Sequence, residues 1–199
     1  SSAIEPLRAA NRANKINLYE WEILSLKGDP VCSSNGIFID PNDSLDENLK
    51  TDILFVCSGL NVMSKVNRPL LGILRKLARR GIQLGSLCTA SYLLAKAGLL
   101  SNRKTTIHWE NSLSMKEEFP ELEITNNLFE IDRDRYSCSG GTSSLDLMLN
   151  IIIENHGSNL AKSVSDQLIH ERIRYSSDYQ RMSLRSRLGV SHPKLLSSV

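Results

Sequence analysis

The residues best placed for covalent chemistry lie in Gly85-Ser-Leu-Cys88-Thr-Ala90. A cysteine with small residues at −3 and +2, a β-rich stretch before it and a helical one behind it, has the form of a nucleophile elbow. Such a turn holds the thiol clear of the sheet, and the free N–H groups and positive end of the following helix favour thiolate. A buried core cysteine suits the same spacing equally well. Cys32, Cys57 and Cys138 lack this setting and are expected to be inert. His108 follows at the end of a short β-prone piece. The ends of neighbouring strands in a parallel sheet converge on one edge, so His108 is a candidate partner for Cys88, the alternative being a packed or surface histidine.

Two glycine turns are candidates to complete a pocket. Ser58-Gly59 and Gly140-Gly141-Thr142 can each present backbone N–H groups to an anion, the alternative being plain tight turns. Thr89 stands directly after the cysteine. Glu5 is expected to cap the first helix. His156, His170 and His192 fall at a helix end, on a charged helix face and in the tail, without metal-ligand spacing, so neither a metal nor a cofactor is expected. The four cysteines form no CxxC pair, which argues against a zinc knuckle or disulfide scaffold and for a reducing, cytoplasmic setting.

These side chains need a scaffold to position them. Ser2-Ala-Ile-Glu5 has the capping-box pattern of a helix start. Tyr19 to Leu26 alternates like a strand, Gly36 to Ile39 is a second β-prone piece, and Ile53 to Cys57 is the apolar run of a strand buried on both faces. Asn67-Arg-Pro69 opens a helix striped by Leu70, Leu71, Ile73, Leu74, Leu77 and Ala78 and stopped at Gly81. A strand over 82–87, a helix over 90–97, a β piece at 104–107 and a helix to Glu118 follow. Next come strands at 122–125, 128–131 and 135–139, then an almost wholly apolar helix over 145–153. Ser158 caps a last helix, whose Leu160, Ala161, Val164, Leu168 and Ile173 keep its period. This alternation predicts a three-layer α/β fold with a mainly parallel sheet. A doubly wound sheet has an inner strand before its first helix; none lies in these residues, so the natural N-terminus is expected upstream.

A length of 199 residues suits one domain. With 41% hydrophobic residues and 11 glycines the composition is globular rather than disordered, and no apolar run approaches the ~20 residues that span a bilayer, so no membrane partner is expected. No secretory signal opens the chain. Lys plus Arg number 24 against 22 Asp plus Glu, too balanced to declare a nucleic-acid partner. From 171 onward, however, six basic residues face two acidic ones. The stretch after Arg174, broken by Gly189 and Pro193, is expected to be a basic linker (175–199) leaving a domain of residues 1–174.

With the elbow, the histidine and the glycine turn in place, the chain resembles transcriptional regulators of the GlxA type. These join a PfpI-like, class I glutamine amidotransferase-like domain to a C-terminal AraC-type helix-turn-helix domain. The matching stretches are AIEPLRAANR (3–12), GSLCTASYLLAKAGLL (85–100), TTIHWEN (105–111), CSGGTSSLDLML (138–149) and DQLIHERIR (166–174). The resemblance implies a flavodoxin-like three-layer sandwich, a homodimer, a small-metabolite effector, and DNA contact through a domain beyond this chain. It places Cys88 and His108 on the superfamily's reactive cysteine and nearby histidine. Two departures weigh against catalysis. Thr89 stands where enzymatic members often carry His, and the family's acid partner falls before Ser1 in register, Glu5 matching a different glutamate.

The expectation is therefore a non-catalytic effector-sensing domain. Its ligand site is formed by Cys88, Thr89, His108, Ser58, Gly59, Gly140, Gly141 and Thr142. Relatives responding to amino acids or quaternary amines imply those ligand classes, and Trp21 and Trp109 are candidates for a cation–π wall. The rival is a Cys-dependent hydrolase or hydratase with Cys88 as nucleophile and His108 as partner. A third alternative is a dimerisation scaffold with a vestigial pocket.

Overall fold

The computed structural model describes residues 1–181. Its first element, α1 (Ile4–Asn14), ends at Lys15 in the left-handed region. The expected capping box does not form. Ser2 Oγ donates to the Gly141 carbonyl at 3.1 Å and Glu5 pairs with Arg8 at 2.7 Å, while the Ser1 carbonyl accepts the Ile4 and Glu5 N–H groups. Tyr19–Leu26 also departs from expectation, contributing only Leu24–Ser25 (β1). Alternation does not make a strand without a neighbour to take its backbone hydrogen bonds. Here Asn11 takes them instead, accepting from Leu18 and Tyr19 N–H and donating to the Tyr19 carbonyl.

Val31–Cys32 (β2) and Phe38–Ile39 (β3) form a hairpin, and Asp43–Ser44 (β4) pairs in parallel with β1. Chain order then runs Ile53–Ser58 (β5), Arg68–Arg79 (α2), Gln83–Cys88 (β6), Ser91–Lys96 (α3), Lys104–Thr105 (β7), Trp109–Glu118 (α4), Glu123–Ile124 (β8), Phe129–Asp132 (β9), Arg135–Cys138 (β10), Ser143–His156 (α5) and Ser158–Gln167 (α6). The central sheet has the order β5-β6-β10-β9, with β5, β6 and β10 parallel and β9 antiparallel at one edge. β5 is half-buried rather than buried on both faces, with Cys57 exposed, because it is an edge strand among the described residues.

Apolar side chains leave the sheet on both faces, which gives the three layers. Leu84 of β6 joins Leu74 and Leu77 of α2 and Leu93 and Leu94 of α3. On the other face Phe129 and Tyr136 meet Leu147 and Ile151 of α5. Behind them Ala9 and Ala10 of α1, Leu149 and Ile152 of α5, and Ala161 and Val164 of α6 close a third cluster. Helix α5 is apolar nearly all round because it is enclosed by the sheet, α1 and α6. Gly85 has a specific reason: a Cβ there would lie 2.1 Å from the Phe55 ring, which leans on Tyr136 one rung across.

Helix α6 is preceded by Gly157 at φ 87° without a side-chain cap, so Ser158 does not cap it. The helix stops at Gln167, and Ile169 at φ 53° turns the chain back, so Ile173 reaches the third cluster from outside the helix. His170, expected on a helix face, lies in this turn. Beyond Arg174, where a linker was expected to start, the chain still follows the domain. Leu128 N–H donates to the Ser176 carbonyl at 2.8 Å, Asn127 bridges Tyr179, and Gln180 Nε2 lies 2.9–3.1 Å from Asn127 O, Ile107 O and Thr106 Oγ1. The rest of that stretch, His192 included, lies outside the described residues.

Candidate functional site

Strand β6 ends in Cys88 at φ 63°, a left-handed conformation that costs a non-glycine residue about 1–2 kcal/mol. The expected elbow is therefore present, and its neighbours hold it. Ser58 lies opposite Cys88 in the β5–β6 register, and Thr89 Oγ1 donates to the Gly59 carbonyl at 2.7 Å, tying the elbow to the β5 loop. Gly140, at φ 91°, sits directly over the cysteine: a Cβ there would lie 2.7 Å from Cys88 Cβ and 2.8 Å from Sγ. Gly141 and Thr142 continue that wall, the first accepting from Ser2 and the second from Arg174.

His108 is joined to the elbow through its backbone, its N–H donating to the Cys88 carbonyl at 3.3 Å. Its ring is engaged elsewhere. Nδ1 accepts the Glu110 N–H at 3.4 Å as the cap of α4, with Glu110 Oε2 at 3.8 Å, and no hydrogen bond joins the ring to Cys88 Sγ among the described residues. The thiol departs from the expected thiolate. Burial pushes Cys88 above the usual cysteine range; the Thr89 N–H pulls the other way without overcoming it, and Cys138 and Glu110 add to the upward push. Desolvation disfavours the anion more than this short turn stabilises it. Cys32 and Cys57 are exposed, whereas Cys138 is buried with Sγ 3.3 Å from Ser144 Oγ.

Beneath the elbow runs a buried polar chain that the sequence did not announce. Ser86 Oγ lies 2.8 Å from Ser91 Oγ, Ser91 donates to the Thr106 carbonyl at 2.6 Å, and Thr106 N–H donates to Ser137 Oγ at 2.9 Å. It links β6, α3, the stretch before His108 and β10, so the elements around Cys88 are fixed to one another. Asp146 was also missed. It is fully buried on α5, accepting Arg174 N–H at 2.9 Å and Arg174 Nε at 2.8 Å, and lying 2.9 Å from His170 Nε2. The available signal was a carboxylate inside an apolar helix, which must find a partner.

Trp109, next to His108, stacks its ring under the Arg181 guanidinium at 4.0 Å from the ring centroid. Trp21 holds no cation among the described residues. Glu5 is half-buried, and the hydrogen-bond partner of its carboxylate among the described residues is Arg8 rather than Cys88. No group of His, Cys, Asp and Glu able to hold a metal occurs among the described residues, and none of their helices is long and apolar enough to cross a membrane. A recess of about 450 Å³ lined by Leu49, Lys50, Thr51, Asp52, Arg80 and Ile82 lies at the amino ends of β5 and β6, opposite Cys88, and holds no cysteine or histidine.

Residues 2–154 match the DJ-1/PfpI family. Over 198 residues the chain is 44% identical to the HTH-type transcriptional regulator CdhR of Pseudomonas aeruginosa, covering 100% of this chain and 59% of that protein. It is 37% identical over 198 residues to the HTH-type transcriptional regulator GlxA of Rhizobium meliloti, covering 99% and 61%. The crystal structure of an AraC family transcriptional regulator from Pseudomonas putida superposes with a TM-score of 0.75 at 31% identity, covering 84% of this chain and 90% of that one. The chain thus spans about three-fifths of these two curated relatives. The elbow and mainly parallel sheet agree with the class I glutamine amidotransferase-like fold, closely related to a domain of AraC-family regulators. The chain belongs to the DJ-1/PfpI family.

Proposed function

We propose that this chain is the effector-binding domain of an AraC-family transcription regulator, with a small molecule bound over the carboxyl ends of β5, β6 and β10. The ligand site comprises Cys88, Thr89, His108, Ser58, Gly59, Gly140, Gly141 and Thr142. The observation that carries this over catalysis is the geometry of the elbow: the His108 ring caps α4 and makes no hydrogen bond to Cys88 Sγ among the described residues, while burial pushes the thiol up. A nucleophile without an oriented base is a binding surface rather than a catalyst. DNA contact belongs to a region outside this chain, and the domain acts as a homodimer. An amino acid or quaternary amine is the ligand class, supported by the cation already stacked on Trp109.

Thermal-shift screening of amino acids and quaternary amines tests this. A ligand at 100 times its Kd adds about 2.7 kcal/mol, or roughly 5–11 °C for a chain of this size. Gly140→Val, which fills the space over Cys88, should abolish the shift. A panel in which no compound raises the Tm, or raises it equally in Gly140→Val, would refute the site. The strained Cys88 backbone favours the hydrolase or hydratase alternative; turnover of an ester, amide or isocyanide that Cys88→Ala abolishes would establish it.

A further inference from the structure

Between Leu168 and Arg181 the chain runs as a strap that touches both walls of the Cys88 site. Its first anchor is deep. Buried Asp146 accepts from Arg174 N–H and Nε and meets His170, while Arg174 Nη2 donates to Thr142 Oγ1 at 2.7 Å in the glycine turn. The middle is held by backbone and amide bonds from Ser176, Tyr179 and Gln180 to the 106–107 and 127–128 stretches. The far end is Arg181 on the ring of Trp109, which is 40% exposed and adjoins His108. Charge-assisted bonds to a buried carboxylate are among the stronger polar contacts, whereas an exposed cation–π contact is weak. The Arg181 end of the strap, beside His108, is therefore the end more easily released.

An aromatic face attracts any cation of suitable size through its quadrupole, so a guanidinium and an ammonium compete for one ring. We propose that Trp109 is a cation-recognising face of the ligand site, that Arg181 fills it in the unliganded protein, and that an organic cation bound there displaces Arg181 and loosens the strap at Tyr179–Arg181. This rests on the effector-site assignment above and adds its regulation. Linkage makes the competition reciprocal: whatever the ligand does to the strap, the strap does to ligand affinity by the same factor.

The test uses the 199-residue chain with Trp21→Phe, leaving Trp109 as the one tryptophan, titrated with tetramethylammonium chloride against matched sodium chloride. A saturable change in Trp109 emission is expected, with a midpoint about two- to fivefold lower in Arg181→Ala, the factor corresponding to an exposed cation–π contact. Arg181→Lys, which keeps the charge, should stay near wild type. Hydrogen exchange at Tyr179–Arg181 should accelerate with tetramethylammonium. Equal midpoints in Arg181→Ala and wild type would overturn the strap, and no saturable change in either would overturn the cation face. A screened metabolite that stabilises Trp109→Leu as well as wild type, yet fails on Gly140→Val, would keep the effector site and remove Trp109 from it.

Discussion

Gly140→Ala probes the closest approach in the site, because the added Cβ would meet Cys88 Cβ at 2.7 Å and Sγ at 2.8 Å while Gly140 itself sits at φ 91°. Placing a non-glycine residue in the left-handed region costs about 1–2 kcal/mol, and forcing a methyl group into a filled space costs about 1–3 kcal/mol. The expected destabilisation is therefore about 2–5 kcal/mol, below the ~5–15 kcal/mol that holds a typical domain together. The variant should fold, with a Tm lower by roughly 4–20 °C. Cys88→Gly removes the two closest atoms, the next being Cα at 3.1 Å, and relaxes the cysteine's own strain at φ 63°. In that background Gly140→Ala should cost little beyond its backbone share, leaving a coupling of about 1–3 kcal/mol. Urea unfolding of the four proteins gives that coupling as a double-mutant cycle. Additivity within about 0.5 kcal/mol would mean that the two residues do not touch, and the glycine wall of the proposed site would lose its basis.

Asp146→Asn should destabilise the chain by about 2–4 kcal/mol, at or below the usual cost of breaking a buried pair because Arg174 is partly exposed, and should quicken trypsin cleavage after Arg172 and Arg174; a loss under ~1 kcal/mol by urea unfolding would show that Asp146 does not anchor the strap. Iodoacetamide at neutral pH should modify exposed Cys32 before Cys88, with the Cys88 rate still climbing above the ordinary thiol pKa of about 8.5; faster labelling of Cys88 in peptide maps would refute the neutral-thiol account. At Asp134 burial pushes the carboxyl up, but the Arg103 hydrogen bond and the charges of Arg135 and Arg103 outweigh it and hold the group below the usual range. Its folded pKa is lowered, so its stabilisation is complete above the unfolded value near 4 and is lost as pH falls through the folded one. The urea-stability gap between wild type and Asp134→Asn should accordingly be full at pH 7 and shrink below about pH 4; a gap independent of pH would contradict the pairing.

Much of the scaffold was legible because it depends on local pattern. The stripe of α2, the Asn67 cap that accepts from Leu70 N–H, the glycine stop at Gly81 and the enclosed helix α5 all express periodicity or turn chemistry within a few residues. The misreadings share a different cause. Tyr19–Ile23 has the alternation of a strand, but the partner decides: the Asn11 side chain takes Tyr19, and Asn42 takes Ile23. Ser2 and Glu5 have the spacing of a capping box, yet each finds a better-placed partner, in Gly141 and in Arg8. Cys88 occupies the elbow as expected, and its backbone strain follows from the sharp turn. Its protonation does not, since that depends on how deeply neighbouring elements bury the thiol and on where Glu110 falls.

The strap shows what composition alone does not register. Residues 175–181 are polar and lack helical or strand period, which locally is the signature of a linker. What holds them is the unfilled hydrogen-bonding capacity of other segments: the Leu128 N–H, the Asn127 and Ile107 carbonyls and the Thr106 hydroxyl lie where the sheet stops pairing. Buried backbone groups must be satisfied, so a passing polar chain is recruited to finish what the short strands β7, β8 and β9 leave open. That requirement has a functional corollary. The same stretch that accepts Gln180 leads directly into His108 and into Trp109 at the start of α4, and its Thr106 is bonded to β10 beside the elbow. A ligand that shifts this stretch by a fraction of an ångström acts on the strap's hydrogen bonds and on Arg181 together. On the proposed reading, the strap is coupled to the site by these shared contacts.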